Sequence, residues 1–290
     1  MNDLDELTTE AGGTSDVDYE LRPTVELVEA MNAEDATVAE AVGGAGGEIA
    51  AAIDAIVERL SSGGRLVYVG GGTSGGLAAL DAEECVATFS TPPGQVIALT
   101  ADSASQEDDF DAGAAAVSSA GISANDAVVG VSASGRTPYV LGALQAAAEA
   151  DALTVALSCV PDSELGGHAE HVIAVVVGPE FIAGSTRLKA GTAQKLVLNA
   201  ISTIAMVRLG KTFGNLMVGV VAENDKLRAR VHRIVRTATG ASSEEVDDAI
   251  AAAGGDAKVA IVSLLGRTDA ETARARLRDA EGNVRLALGP

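Results

Sequence analysis

Residues 65–77 read RLVYVGGGTSGGL: an unbroken apolar run, three glycines, then Thr73 and Ser74 ahead of a helical stretch. A run such as Leu66 to Val69, with no polar alternation, is the pattern of a strand buried on both faces, as in parallel sheets covered by helices. Glycines let the backbone approach an anion closely, and the free N–H groups and dipole of a helix start favour negative charge there. The stretch therefore reads as a strand, a tight turn and a helix start that could cradle a phosphate. Two other readings share the pattern. Gly70, Gly72 and Gly75 match the G-x-G-x-x-G of dinucleotide-binding folds, with Asp102 as the acid such a site needs after its second strand. A strand-to-helix turn with no ligand would also look like this. There is no lysine to make it a P-loop.

Residues 127–144, AVVGVSASGRTPYVLGAL, repeat the logic. A strand end runs into Ser132, Ser134 and Thr137, three hydroxyls within six residues, and Pro138 stands where a helix takes its first residue. Capping needs only one hydroxyl. Three can each donate to a phosphate oxygen beside the helix amides, so two hydroxyl-bearing helix starts in one sheet point to a phosphosugar site.

Outward from these turns the chain alternates regularly. Helical patterning covers about Thr24 to Leu60, with glycine breaks at 43–47, and strands are expected at Leu66–Val69, Val96–Thr100, Ala127–Ser132, Thr154–Ser158, Val172–Val177 and Leu216–Val221. A long helix is expected over about Thr192 to Leu209. Strands alternating with helices mean an α/β fold with a doubly wound parallel sheet, whose ligands sit at the carboxyl ends of the strands. From about Thr239 the texture becomes short amphipathic helices, with caps expected at Ser242, Thr268 and Asp269. The expected organisation is a flexible tail over 1–20, N-terminal helices over 21–62, the sheet domain over 63–238 and a small helical domain over 239–290.

Composition bounds the function. The formal net charge is −21 and only five of the 20 cationic side chains are lysines, a balance that opposes nucleic acid and anionic membrane and suits high salt, where self-repulsion is screened. No apolar stretch is long enough to span a bilayer and Met1 leads into acids rather than a basic signal region, so the expectation is a soluble, cytoplasmic protein. Aromatics are 2% and tryptophan is absent, so the core must be built from Ala, Val, Leu and Ile around close backbones. Cys85 and Cys159 read as small core hydrophobes, and His168 and His171 lack a third ligand for a metal.

The acids are unevenly spread. Of 41 Asp and Glu, none falls between Glu180 and Glu223, a gap that holds Arg187, Lys189, Lys195, Arg208 and Lys211. A salt-adapted surface would carry carboxylates there, so this stretch is expected to be buried, to meet a second subunit, or to face an anion. Lys195 and Arg136 are candidates to assist the phosphate after the hydroxyls.

The hydroxyl-rich pattern resembles the sugar isomerase (SIS) domain, and the likeness extends to the N-acetylmuramic acid 6-phosphate etherases. It is carried by GRLVYVGGGTSG, LDAEECVATF, VVGVSASGRTPYVLGAL, KVAIVSLLG and above all GSTRLKAGTAQKLVLNAISTIAMVRLGKTFGNLMV, which coincides with the acid-free gap. It runs from LTTE at residues 7–10 to the final helices. The resemblance implies cleavage of the D-lactyl ether of a 2-acetamido sugar 6-phosphate, giving N-acetylglucosamine 6-phosphate and D-lactate, with no metal or organic cofactor. Such an elimination needs a base for the C2 proton and an acid for the departing ether oxygen, after which water adds back. A non-catalytic phosphosugar sensor of the SIS class and an aldose–ketose isomerase are the alternatives.

Two carboxylates in different surroundings would serve that chemistry. Leu77, Leu80 and Glu84 share one helical stripe, where desolvation would raise a carboxyl's pKa and suit it to the acid's part. The family's pattern matches Glu84 with the proton donor, and Asp81 and Glu83 are expected nearer solvent, although Asp81 also borders the stripe. In SQEDDFDAGAAAV, Ser105 and Asp108 have capping-box spacing, which puts Glu107 in a helix's first turn, where the dipole favours the ionised form of a base. The family's other catalytic acid aligns with Glu107. Ser74 and Glu84 would be about 15 Å apart along one helix, farther than a sugar's phosphate lies from its C2, so the expectation is a homodimer with a shared pocket. The chain departs from the family at Gly76, where an arginine is usual, at CVATF in place of C-P-P-T-F, and in a shorter link between Val96 and Glu107.

Overall fold

A computed structural model describes residues 18–220 and 225–289. The expected tail over 1–20 lies outside the described residues up to position 17. Tyr19–Leu21 form a 3-10 turn, with the Tyr19 ring stacked 4.6 Å from that of Phe181. The glycine-broken helical stretch is three helices: α1 (Thr24–Asp35), α2 (Val38–Gly44) and α3 (Gly46–Ser61). α3 buries Ile49, Ile53, Ile56 and Leu60, spaced as one face of a helix requires, whereas none of the described residues of α1 is buried.

Then come β1 (Leu66–Gly70), α4 (Gly72–Phe89), β2 (Val96–Thr100), α5 (Ala104–Glu107), α6 (Phe110–Ser119), β3 (Ala127–Val131), α7 (Pro138–Glu149), β4 (Leu153–Ser158), β5 (His171–Ala174) and α8 (Lys189–Arg208). The five strands make one parallel sheet in the order β2-β1-β3-β4-β5, which bears out the α/β expectation. β1, β3 and β4 are buried throughout and the edge strands β2 and β5 only in part, as a sheet covered on both faces dictates. Val67, Val69 and Val128 pack with Val140, Leu144 and Ala147 of α7 on one face. Alternation turns Tyr68 to the other face, where its hydroxyl meets Asp81 of α4.

Aromatic-poor packing is achieved by close backbones. A Cβ on Gly113 of α6 would fall 1.8 Å from the carbonyl oxygen of Tyr139, so only glycine lets these helices meet. At the amino end of the sheet, Arg65 grips Asp126: its backbone N–H and Nε donate to Oδ1 at 2.9 and 3.1 Å and its Nη2 to Oδ2 at 2.8 Å.

Past α8 the chain makes β6 (Thr212–Phe213) and β7 (Leu216–Met217), then α9 (Asp225–Thr239), α10 (Ser243–Ala252), α11 (Ala257–Gly266), α12 (Ala270–Asp279) and α13 (Val284–Leu288). The strand expected at Leu216–Val221 is instead one arm of this antiparallel pair, apart from the main sheet; Gly214 at φ +59 makes the hairpin turn, and Val221 lies outside the described residues. Ser242 and Asp269 cap α10 and α12 as expected. Thr268 caps nothing, and its carbonyl accepts from Ser263 Oγ at 2.7 Å. Contacts divide the chain into two compact units: one takes the chain to Glu83 with Gly94–Ser202, the other Glu84–Pro93 with Thr203 onward. Of the stretch expected with the sheet, the described residues 203–220 and 225–238 fall in the second unit. That second unit has its own core, including Val231, Ile234, Val246, Ile261, Val262, Leu277 and Val284. Among the described residues no helix is long and apolar enough to cross a membrane.

Candidate active site

In the order β2-β1-β3-β4-β5 the chain reverses direction between β1 and β3: β1 leads through α4 to one side, β3 through α7 to the other. Open α/β sheets bind ligands at such a switch point. Gly70 pairs in register with Val131, so the glycine turn and the hydroxyl turn leave the sheet side by side.

The glycine turn is tight for a steric reason. A Cβ on Gly70 would lie 2.8 Å from the Gly75 nitrogen, and one on Gly75 would lie 2.7 Å from the Gly70 oxygen. Glu107 lies over this turn: a Cβ on Gly71 would fall 2.6 Å from its Cγ, and one on Gly72 would fall 3.2 Å from its Oε1. Glu107 gets there differently from expectation. The cap is Ser103, whose Oγ accepts from the Gln106 N–H at 3.3 Å, and α5 is a single turn that Glu107 ends. Ser105 instead shares a hydrogen bond with Ser103, at 3.0 Å. Glu107 is half-buried.

Of the two hydroxyls in the first turn of α4, Thr73 is exposed, while Ser74 is buried and donates to Gln194 Oε1 at 2.9 Å. In the second turn Ser132 is buried and shares a 2.8 Å hydrogen bond with Thr137 Oγ1, and its Oγ accepts from the Gly135 N–H at 3.0 Å. Ser134 Oγ is half-buried and accepts from the Arg136 N–H at 3.4 Å. Thr137 stands at the N-cap of α7 without using its side chain as a cap, with Pro138 following as expected. The sheet unit therefore gathers Thr73, Ser74, Glu107, Ser132, Ser134 and Thr137 at one edge.

α4 departs from the expected arrangement. The stripe of Leu80 and Glu84 is exposed in the single chain, Leu80 by 51%, and Leu77 is half-buried. The buried stripe is Ser74, Ala78, Asp81, Ala82, Cys85 and Phe89: small side chains allow close packing that the leucine stripe would not. Glu84 is therefore exposed rather than set in an apolar stripe in the single chain, and its contacts group it with the second unit. Asp81, expected nearer solvent, is the buried carboxylate. It accepts from Tyr68 Oη at 2.9 Å, Asn199 Nδ2 at 2.7 Å and Ser202 Oγ at 3.0 Å.

The acid-free stretch divides its work. Lys189 is buried and pairs with Glu34 Oε2 at 2.6 Å, whereas Arg187 and Lys195 are exposed, the latter beside Gln194 on α8. The start of α8 is closed by Glu180, also buried, which accepts from the N–H groups of Lys189 and Ala190 at 2.8 and 3.0 Å. Gln194, Asp81 and Glu180 were missed as partners in sequence reasoning; the density of polar residues in GSTRLKAGTAQK was the only signal for the first. Cys85 and Cys159 are buried thiols, and burial first, with Glu180 beside it, pushes the Cys159 thiol up to about 12. Among the described residues no cluster of His, Cys, Asp and Glu could hold a metal ion.

Two family models match, that of the glucokinase regulatory protein N-terminal SIS domain over residues 48–148 and that of the SIS domain over 109–204. The curated N-acetylmuramic acid 6-phosphate etherase of Rubrobacter xylanophilus is 54% identical over 99% of this chain and 97% of its own. The chain belongs to the N-acetylmuramic acid 6-phosphate etherase family. The curated relative of the same name from Streptomyces avermitilis is 52% identical over 99% of this chain and 94% of its own. A phosphoheptose isomerase from Francisella tularensis superposes with a TM-score of 0.53 at 18% identity, covering 64% of this chain and 100% of that one, a likeness of fold. Family membership sets aside the dinucleotide reading of the glycine turn and Asp102. At Gly76, where a departure from the family pattern was expected, a Cβ would meet nothing within 4 Å.

Proposed function

We propose that this protein is a carbon–oxygen lyase that cleaves the D-lactyl ether of N-acetylmuramic acid 6-phosphate, releasing D-lactate and N-acetylglucosamine 6-phosphate. The observation that carries the reading is the pair of turns side by side at the switch point, with Glu107 against one of them, in a chain of this family. The hydroxyls of Thr73, Ser74, Ser132, Ser134 and Thr137 grip the phosphate, with Lys195 assisting from α8. Glu107 takes the C2 proton of the open-chain aldehyde. The electron pair forms the C2–C3 double bond as the C3–O bond breaks, and Glu84 protonates the departing lactyl oxygen. Water then adds across the double bond, its hydroxyl to C3 and its proton to C2. None of these steps requires a metal or organic cofactor.

The proposed working form is a cytoplasmic homodimer in high salt, with a pocket that takes hydroxyls from one subunit and Glu84 from the other. The dimer is supported by α1, which leaves Val25 and Val28 exposed by 62% and 53%, and by the exposed Leu80 one turn before Glu84. The salt setting is supported by the net charge of −21.

Incubation with N-acetylmuramic acid 6-phosphate in deuterated high-salt buffer tests the activity: lactate should appear together with deuterium at C2. Binding without exchange would mark a sensor, and exchange with ketose formation but no lactate an isomerase. Mixed Glu84→Gln and Ser134→Ala chains should regain activity that neither has alone; a dead mixture would defeat the shared pocket.

A further inference from the structure

Gln194 is 1% exposed, and its Nε2 has no hydrogen-bond partner, although its Oε1 accepts the proton of Ser74. A buried amide nitrogen without a partner is costly and is rarer than an under-used carbonyl oxygen. Ser74 carries one hydroxyl proton. While that proton goes to Gln194, Ser74 cannot donate to a phosphate.

The nitrogen gains a partner if the carboxamide makes a half-turn about its terminal bond, which exchanges oxygen and nitrogen with no change of shape and leaves the unpaired position to the carbonyl oxygen, the less costly group to hold there. The amide then donates to Ser74 Oγ across the same 2.9 Å, and the serine proton is released. A bound phosphate favours that exchange, because a hydrogen bond to an ionised oxygen is roughly twice as strong as a neutral one. We propose that Gln194 is a positioning residue that switches Ser74 between a hydroxyl committed to the protein and a hydroxyl donated to the substrate's phosphate. The inference rests on the phosphosugar reading of the turn and adds how the grip is turned on. It also explains the buried glutamine beside a serine whose hydroxyl the site needs.

The test is a double-mutant cycle of Gln194→Met and Ser74→Ala, titrated by calorimetry with N-acetylglucosamine 6-phosphate and, as control, N-acetylglucosamine. Gln194→Met should raise the Kd for the phosphorylated sugar about tenfold when Ser74 is present and leave it unchanged in the Ser74→Ala background. Equal losses in both backgrounds would mean direct contact with the ligand and overturn the switch. A fall in melting temperature with Kd unchanged would make Gln194 structural and also overturn it. Gln194→Leu serves as the second variant if the methionine protein does not fold. Because the readout is binding, a wild type that binds the phosphosugar but releases no lactate defeats the etherase reading alone. Lactate release with additive losses defeats the switch alone, and a wild type that binds no phosphosugar defeats both.

Discussion

Glu107 rests on Gly71 so closely that a single methyl group at position 71 would stand 2.6 Å from the Glu107 Cγ. Gly71→Ala is expected to push the carboxylate off the turn while leaving the strand and helix in place. A displacement of that order typically costs about a hundredfold in turnover, so kcat should fall by about that factor, with the melting temperature nearly unchanged. Steady-state lactate release checks it, and an alanine variant of full activity would remove Glu107 from the chemistry.

The carboxylate of Asp81 gathers three donors from β1 and α8. Asp81→Ala removes the carboxylate on which all three converge, and a buried donor that loses its acceptor costs about 1–3 kcal/mol, so unfolding free energy should drop by about 3 kcal/mol. Tyr68→Phe, which removes one donor only, should cost about 1 kcal/mol. Urea titration of the two variants checks the ranking.

Burial alone would raise the pKa of Asp126, but the Arg65 side chain and the backbone N–H groups of Arg65 and Ser123 more than offset it and hold it low. A depressed carboxyl stabilises the fold above the unfolded value of about 3.9, and that stabilisation is lost as pH falls through the folded value. Asp126→Asn should cost about 3 kcal/mol at neutral pH and flatten the acid limb of stability below about pH 4. Denaturant midpoints across pH measure both.

Lys258 donates to the carbonyls of Gly210 and Gly282 at 2.9 and 2.7 Å, and burial first, with Lys211 adding and Asp256 opposing, pushes its pKa down to about 8. An unfolded lysine keeps its proton up to about 10.4, so between these values the unfolded state binds more protons and stability rises with pH. The midpoint for unfolding the C-terminal helices should climb from about pH 8 to 10, and Lys258→Met should abolish the climb.

With its thiol at about 12, Cys159 holds almost no thiolate at ordinary pH. Iodoacetamide at pH 8 should leave it unmodified in the native protein and alkylate it in denaturant, as intact-mass measurement would show.

What was legible in the sequence was local. The strands of the sheet, the glycine turn and the Ser132–Thr137 turn announce themselves within a few residues through apolar runs, glycines and hydroxyls. The placement of Glu107 near a helix start was also local, though the cap proved to be Ser103 and the helix one turn long. What escaped depended on partners far away in the chain. Leu80 is more apolar than Ala78, so periodicity chose the wrong stripe of α4; close packing favours the smaller residue. Asp81 is buried because Tyr68, Asn199 and Ser202 converge on it, and Ser74 is engaged by Gln194 from the far side of the sequence.

The reversal of strand order between β1 and β3 has a mechanical consequence. α4 and α7 lie on opposite faces of the sheet, with the strands between them. A phosphate held by both turns would act as a rivet through the edge of the sandwich, so that saturating ligand slows amide hydrogen exchange in both helices together rather than only where it touches.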